Sequence, residues 1–456
     1  MSNDNAAGVS ALRSNTTYSI IAMCLSALSM VITLKLLLHF TNTELFGLWS
    51  LTVGMLAFSR AGDISGSGSL SRFVARESKS AEHQIAFIDT VLIFTFVFYC
   101  VLLLVIAAPL SSFLKSQVPF ELHHIGGNLL FISMLILILN VLGVSQMSAI
   151  DGLYESVTRS KIQIFSSLVL CVSSYPLIRG YGVYGYAFSI TLQHFLNLVI
   201  SRVVLKKRIS GLSFFPVNFS RGKLREITTF GFKVQGQSIA GLFYDPLAKL
   251  MVNNYAGLSG VAVYDIAYKL ASYCQLVLVA ACNPLLPILS GFNEGSKEKK
   301  KQYFYVFLMK FLKISCGPVI VASLLVPVAS LLFFDKLKID FIICTLFLMM
   351  AWYTSSIANI SSIYAQSEGL MKWNIIGSLS IACFVVPMII ITAEISGPDY
   401  AAIGTSFAIF SGSLFLMFGN FQYFELNKLS RLVNIAILVP FCMVFAGIML
   451  QIWWWL

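Results

Sequence analysis

Apolar runs of about 20 residues, the length a helix needs to cross the roughly 30 Å hydrocarbon core of a bilayer, follow one another with little interruption from residue 17 onward. The pattern predicts thirteen spans, at 17–39, 45–70, 84–109, 124–150, 160–178, 181–204, 228–252, 258–288, 304–334, 340–366, 372–394, 399–424 and 432–455. The first run is too long, and lacks the small-residue cleavage site, for a removable signal peptide. The longest polar connection is the basic stretch 206–225, after the sixth span. It separates an N-terminal six-helix lobe (1–205) from a C-terminal six-helix lobe (226–426), with an extra C-terminal helix at 427–456. Because six is even, both lobes enter the membrane in the same sense, as in parallel repeats related by an axis along the membrane normal. The expected fold class is an all-α polytopic membrane protein of 12 to 13 transmembrane helices in two lobes.

Composition agrees with the pattern. Hydrophobic residues make up 57% of the chain and charged residues 11%, against about a quarter charged in soluble domains, and the mean hydropathy is +0.83. The net charge of +11 raises the question of a nucleic-acid partner, but its distribution answers for topology instead. With the N-terminus in the cytoplasm, about twenty Lys and Arg residues fall in cytoplasmic segments, while the opposite side holds Lys115, Arg179, Lys336 and Lys338; the positive-inside rule then sets the N-terminus cytoplasmic. Asp89 and the segment from Asp151 to Lys161 fall at cytoplasmic span ends and are expected to be solvated. The nine cysteines are scattered through the spans as small apolar fillers. Neither metal-ligand spacings nor nucleotide-binding or nucleophile motifs occur in a suitable context, so no catalytic chemistry, metal or cofactor is expected.

Five ionisable residues, Lys233, Asp245, Lys249, Asp265 and Lys269, lie inside the two spans between Gly231 and Lys269. Each costs roughly 2.5 to 3.5 kcal/mol at bilayer depth on insertion scales, so the set should face protein or water. Asp245 and Lys249 are four apart, as are Asp265 and Lys269, which puts each acid and base on one helical face. A structural reading stays open: Lys233 and Lys249 near span ends could snorkel, and Asp265 with Lys269 could be a packing pair. In the second span, Ser59 to Ser69 packs three glycines and four serines around Arg60 and Asp63, a pair three residues apart in a segment suited to close or hydrated helix packing.

Two groups of residues resemble the bacterial polysaccharide flippases of the O-antigen type (Wzx-like), within the superfamily that also holds the lipid II flippases and the multidrug and toxin extruders (MATE). Thr43-Glu44-Leu45-Phe46-Gly47-Leu48-Trp49 with Gly66 through Ala75, ending in Leu70-Ser71-Arg72-Phe73-Val74-Ala75, is similar to that family's first turn and glycine-rich segment. Ala256 through Ala271, with Gly257, Tyr264 and Lys269, and Pro284-Leu285-Leu286-Pro287 resemble its second signature. Ala262 and Ala248 depart from it, standing where the family usually has Gly and Asp. The resemblance implies two six-helix lobes around a central hydrophilic cavity, rocking between inward-open and outward-open states in the cell inner membrane. The substrate it implies is an undecaprenyl-diphosphate-linked oligosaccharide, such as an O-antigen or other lipopolysaccharide repeat unit. The partners it implies are that lipid-linked oligosaccharide, the surrounding membrane lipids, and polysaccharide polymerase or chain-length proteins. Carried onto this chain, the cavity bases are Lys35, Arg60, Lys233, Lys249 and Lys269, and the acids that pair with them or sense a proton or sodium gradient are Asp63, Asp245 and Asp265. Sugar contacts would come from side chains such as Gln235, Gln237, Asn253 and Asn254. A multidrug or small-solute antiporter of the same superfamily and a membrane polysaccharide polymerase are the competing readings; the first would want a more acidic cavity, the second a sizeable periplasmic loop.

Overall fold

The computed structural model describes residues 2–57, 70–77, 80–282, 285–290, 297–368, 370 and 372–424, with the backbone alone for residues 2–17, 230–243, 281, 286, 287 and 290. Arg60, Asp63, the side chain of Lys233 and the span expected at 432–455 therefore lie outside the described residues. The described chain is helical: α1 Ser2–Phe40, α2 Thr43–Ala57, α3 Leu70–Arg76, α4 Ala81–Gln117, α5 His123–Gly152, α6 Ser156–Arg208, α7 Arg221–Cys282, α8 Leu285–Ser290, α9 Lys297–Leu324, α10 Val326–Phe334, α11 Ile339–Ser367, α12 Lys372–Ser396 and α13 Ile403–Tyr423. In lipid each backbone N–H and C=O must be satisfied within the segment, which favours this solution. Among the described residues, eight helical segments are long and apolar enough to cross a bilayer. Their outward faces are apolar: Leu104, Phe131, Val172, Ile314 and Ile395 are 73% to 79% exposed, the inversion expected when lipid is the solvent.

Two of the described helices, α6 and α7, are pairs joined at a glycine. α6 takes in the spans expected at 160–178 and 181–204 and breaks at Gly182, whose φ of 56° is one that L side chains rarely adopt. α7 does the same at Gly257, φ 64°. The span expected at 304–334 is instead broken after Leu324, where Pro327 opens α10.

By its contacts the chain divides into two compact units, Met1–Gly236 and Gln237–Leu456. In the first, α6 carries α1 along one side and α5 along another, and α4, α3 and α2 pack on α5. The α1–α6 seam is hydroxylated: Ser26 Oγ lies 2.9 Å from Ser167 Oγ, Ser29 Oγ donates to the Ser167 carbonyl at 2.6 Å, and Gln163 donates to Ser26 at 3.3 Å. Small hydroxylated residues let helices approach where apolar burial gives no net drive. In the second unit α11 is the pillar, with Tyr353, Ile357, Ile360 and Tyr364 in a core with Phe304, Leu308 and Phe421. α12 and α13 close against one another because Gly404 and Gly412 carry no Cβ; one at Gly412 would lie 2.2 Å from Ile381 Cγ1.

Asp89 is a correction to the sequence reading. It is fully buried, not solvated, and it clasps the basic connection between α6 and α7. Its carboxylate pairs with Arg202 of α6 at 2.8 Å and accepts from the backbone N–H groups of Val217 and Asn218 at 3.2 Å each, while Arg202 Nε donates to the Phe214 carbonyl at 2.9 Å. A buried carboxylate costs several kcal/mol in lost hydration unless a cation and hydrogen bonds replace the water, and here both do. Asp151 and Arg159 pair at 2.7 Å on accessible surface.

Candidate functional site: a charged hairpin in the second unit

Gly257 turns α7 back on itself. Gly260 makes the turn close, since a Cβ there would lie 2.3 Å from the Ala256 Cβ. The side-chain contacts across the turn pair Tyr244 with Tyr268, Asp245 with Tyr264 and Lys249 with Asp265. All three straddle Gly257 almost symmetrically, the mark of an antiparallel helical hairpin. Lys249 and Asp265 each stand eight residues from the turn, about 12 Å along the axis at 1.5 Å per residue. That is close to half the thickness of the hydrocarbon core.

The four charges form one chain. Lys249 Nζ lies 3.1 Å from Asp245 and 2.9 Å from Asp265, and Asp265 in turn lies 2.6 Å from Lys269 Nζ. Signs alternate along it, acid, base, acid, base. The two central members are buried, with side chains 7% (Lys249) and 1% (Asp265) exposed, while the ends are accessible, Asp245 at 22% and Lys269 at 23%. Snorkelling is thus excluded for Lys249, whose ammonium is enclosed by two carboxylates. The same enclosure neutralises it, so of this set Lys269 is the base through which an anion could be met and Asp245 the acid through which a cation could.

An aromatic wall flanks the chain. Tyr244 and Tyr268 share a hydroxyl hydrogen bond of 2.7 Å, and Trp352 of α11 packs against both rings at centroid distances of 6.1 and 5.6 Å. Tyr264 donates to Asp245 Oδ1 at 3.5 Å. Trp352 Nε1 is buried with no acceptor among the described residues. Sequence reasoning noted Tyr264 in the second signature but did not place it, Tyr244, Tyr268 or Trp352 among the site residues. The signal was there in the doublets Tyr244-Asp245, Tyr264-Asp265 and Tyr268-Lys269, each setting an aromatic beside a charge.

Of the remaining expected site residues, Lys35 is half-buried on α1 in the first unit, and Asn253 is buried and Asn254 exposed on α7. The side chains of Gln235 and Gln237, like those of Lys233, Arg60 and Asp63, lie outside the described residues.

Residues 36–333, which take in the whole hairpin, match the family of polysaccharide biosynthesis proteins. The chain belongs to that family. No curated protein matches it. Among solved structures, it is similar to an inward-facing multidrug resistance MATE family transporter of the MOP superfamily, with a TM-score of 0.67 and 14% identity over 91% of this chain and 95% of that one. The lipid II flippase MurJ in an inward closed conformation gives a TM-score of 0.67 and 13% identity over 96% and 97%. A MOP superfamily transporter from Pyrococcus furiosus gives 0.64 and 15% over 92% and 96%. At these identities the likeness is one of fold: this polysaccharide biosynthesis protein is a multi-pass, all-helical membrane protein with the MATE/MurJ-like fold.

Proposed function

We propose that the protein is a flippase that carries an undecaprenyl-diphosphate-linked oligosaccharide, an O-antigen or similar surface-polysaccharide repeat unit, from the cytoplasmic to the periplasmic leaflet by alternating access. The observation that carries this reading is the buried charge chain at mid-depth of the α7 hairpin, ending in an accessible Lys269 beside Tyr268 and Trp352. Charges held inside spans mark transport paths by default. An ammonium at bilayer depth attracts a diphosphate, and aromatic faces suit the apolar faces of sugar rings. Membership of a polysaccharide biosynthesis family supports a glycan-bearing cargo, and the MurJ-like fold is compatible with a lipid-linked one. In this reading the lobes 1–205 and 226–426 rock about the 206–225 linker. The N-terminus faces the cytoplasm, the membrane is the bacterial inner membrane, and Lys35, Arg60 and Lys233 add to the cationic lining. Asp245 is the residue through which a proton or sodium gradient would act.

The test is direct. Proteoliposomes holding the purified protein and a fluorescent undecaprenyl-diphosphate glycan in both leaflets are quenched from outside with time. Lys269→Gln should slow redistribution at least tenfold at unchanged protein level, and Lys269→Arg should retain most of it. Equal rates in protein-free and protein-containing vesicles would sink the flippase reading.

A further inference from the structure

A second group of cations lies in the first unit, apart from the paired charges of the hairpin. A cavity of about 470 Å³ is lined by Arg72, Phe73 and Arg76 of α3 and by Gly222, Arg225 and Glu226 at the start of α7. Three guanidiniums face one lining carboxylate. Arg76 is engaged with Glu226 at 2.6 Å and with Glu77 at 3.2 Å. Arg72 and Arg225 are exposed, as is nearly half of Arg76. The floor is aromatic: Phe73 is buried and stacks on Phe87 at 5.1 Å, the Arg76 guanidinium lies 5.3 Å from the Phe73 ring centroid, and the Lys223 ammonium lies 4.3 Å from that of Phe87. Cationic walls over an apolar floor, at the polar ends of helices, match an amphiphile's charged head.

We propose that this cavity is a binding site for a phosphate-bearing anion, with Arg72 and Arg225 as its planar, two-pronged donors and Glu226 as a built-in competitor. Guanidinium forks suit phosphate oxygens, and basic pockets at the membrane face take anionic headgroups. Glu226 already neutralises one guanidinium, so an incoming phosphate has to displace it from Arg76. This makes a signed prediction that a merely structural Arg76–Glu226 bridge does not: removing the Glu226 charge should tighten anion binding. The proposal does not depend on the flippase reading, because it concerns residues outside the hairpin's chain of four charges and is read by binding alone.

The measurement is native mass spectrometry of the full-length protein in detergent, titrated separately with cardiolipin, phosphatidylcholine and inorganic pyrophosphate. Arg72→Gln with Arg225→Gln should weaken anion binding at least tenfold, since the loss of even one of their charge-assisted hydrogen bonds is worth about that much. Glu226→Gln should strengthen it about threefold, a gain that no misfolded variant can mimic. Phosphatidylcholine should bind all forms alike. Arginine-dependent binding of cardiolipin alone assigns the cavity to lipid headgroups, and of pyrophosphate alone to a soluble or cargo-borne diphosphate. Binding of both anions unchanged in the arginine variant, with no gain in Glu226→Gln, overturns the proposal.

Discussion

Asp265 is the residue on which the hairpin charges depend. With both neighbours ammonium groups and 1% of its side chain exposed, its replacement by Asn leaves Lys249 and Lys269 confronting one another with a single remaining acid at one end. Breaking a buried pair by removing one partner costs about 3 to 5 kcal/mol, so Asp265→Asn should fall by that order in thermal unfolding in detergent. Adding Lys269→Met should restore part of the loss; a single variant as stable as the parent would show that the four charges are not energetically coupled. At the accessible α3–α4 junction the sign of a second effect can be worked out. His83, 3.1 Å away, holds the Glu77 carboxyl below its ordinary 4.5, with Arg76 and Lys223 assisting against partial burial. A depressed carboxylate contributes stability above the unfolded value and loses it as pH falls through the folded one. A spin label at position 82 should therefore gain mobility on acidification below about pH 4.5, and Glu77→Gln should be mobile at every pH. Identical pH profiles for the two proteins would remove Glu77 from the junction.

At the scale of elements, most of the helices were legible. The span expected at 340–366 is α11, Ile339–Ser367, and that expected at 399–424 contains α13, Ile403–Tyr423, because a long apolar run bounded by charge admits few other solutions in lipid. The i,i+4 acid–base pairs on α7 were legible for the same local reason. What lay beyond the sequence was every contact that needs a turn's geometry. Lys249 meets Asp265 only because Gly257 takes φ 64°, and Asp89 meets Arg202 across 113 residues of chain that carry no local trace of the pairing. Solvation was therefore a reasonable expectation for Asp89 and snorkelling an open alternative for Lys249, and long-range pairing replaces both. The turn itself makes a prediction. Gly257→Ala puts a Cβ on a backbone of φ 64° and ψ −170°, a conformation essentially reserved for glycine that costs another residue about 1 to 3 kcal/mol, although nothing lies within 4 Å to clash with it. Stability should drop by that amount and no more, whereas Gly260→Val, which overlaps Ala256, should drop further and uncouple Tyr244 from Tyr268. Equal losses in the two variants would mean that the turn is set by packing rather than by backbone conformation.

For the whole molecule, two compact units of comparable size share a family match that begins in α1 and ends in α10, so neither unit alone is the family's unit of recognition. The alternation of sign along the hairpin also has an electrical meaning. Two carboxylates and two ammoniums sum to no net charge, and a body without a monopole does no work against a transmembrane voltage when it shifts along the normal, whereas each uncompensated elementary charge that crosses does about 2.3 kcal/mol per 100 mV. Displacement of these four charges together is thus electrically silent, and any voltage dependence of transport belongs to charges outside the quartet, such as Lys233, the cargo or a bound cation. In vesicles clamped by potassium diffusion potentials, Asp245→Asn, which leaves the quartet one charge positive, should shift the voltage dependence of the rate from the parent's in proportion to how far the hairpin travels through the field. An unchanged voltage dependence would say that the hairpin stays still while the rest of the protein moves around it.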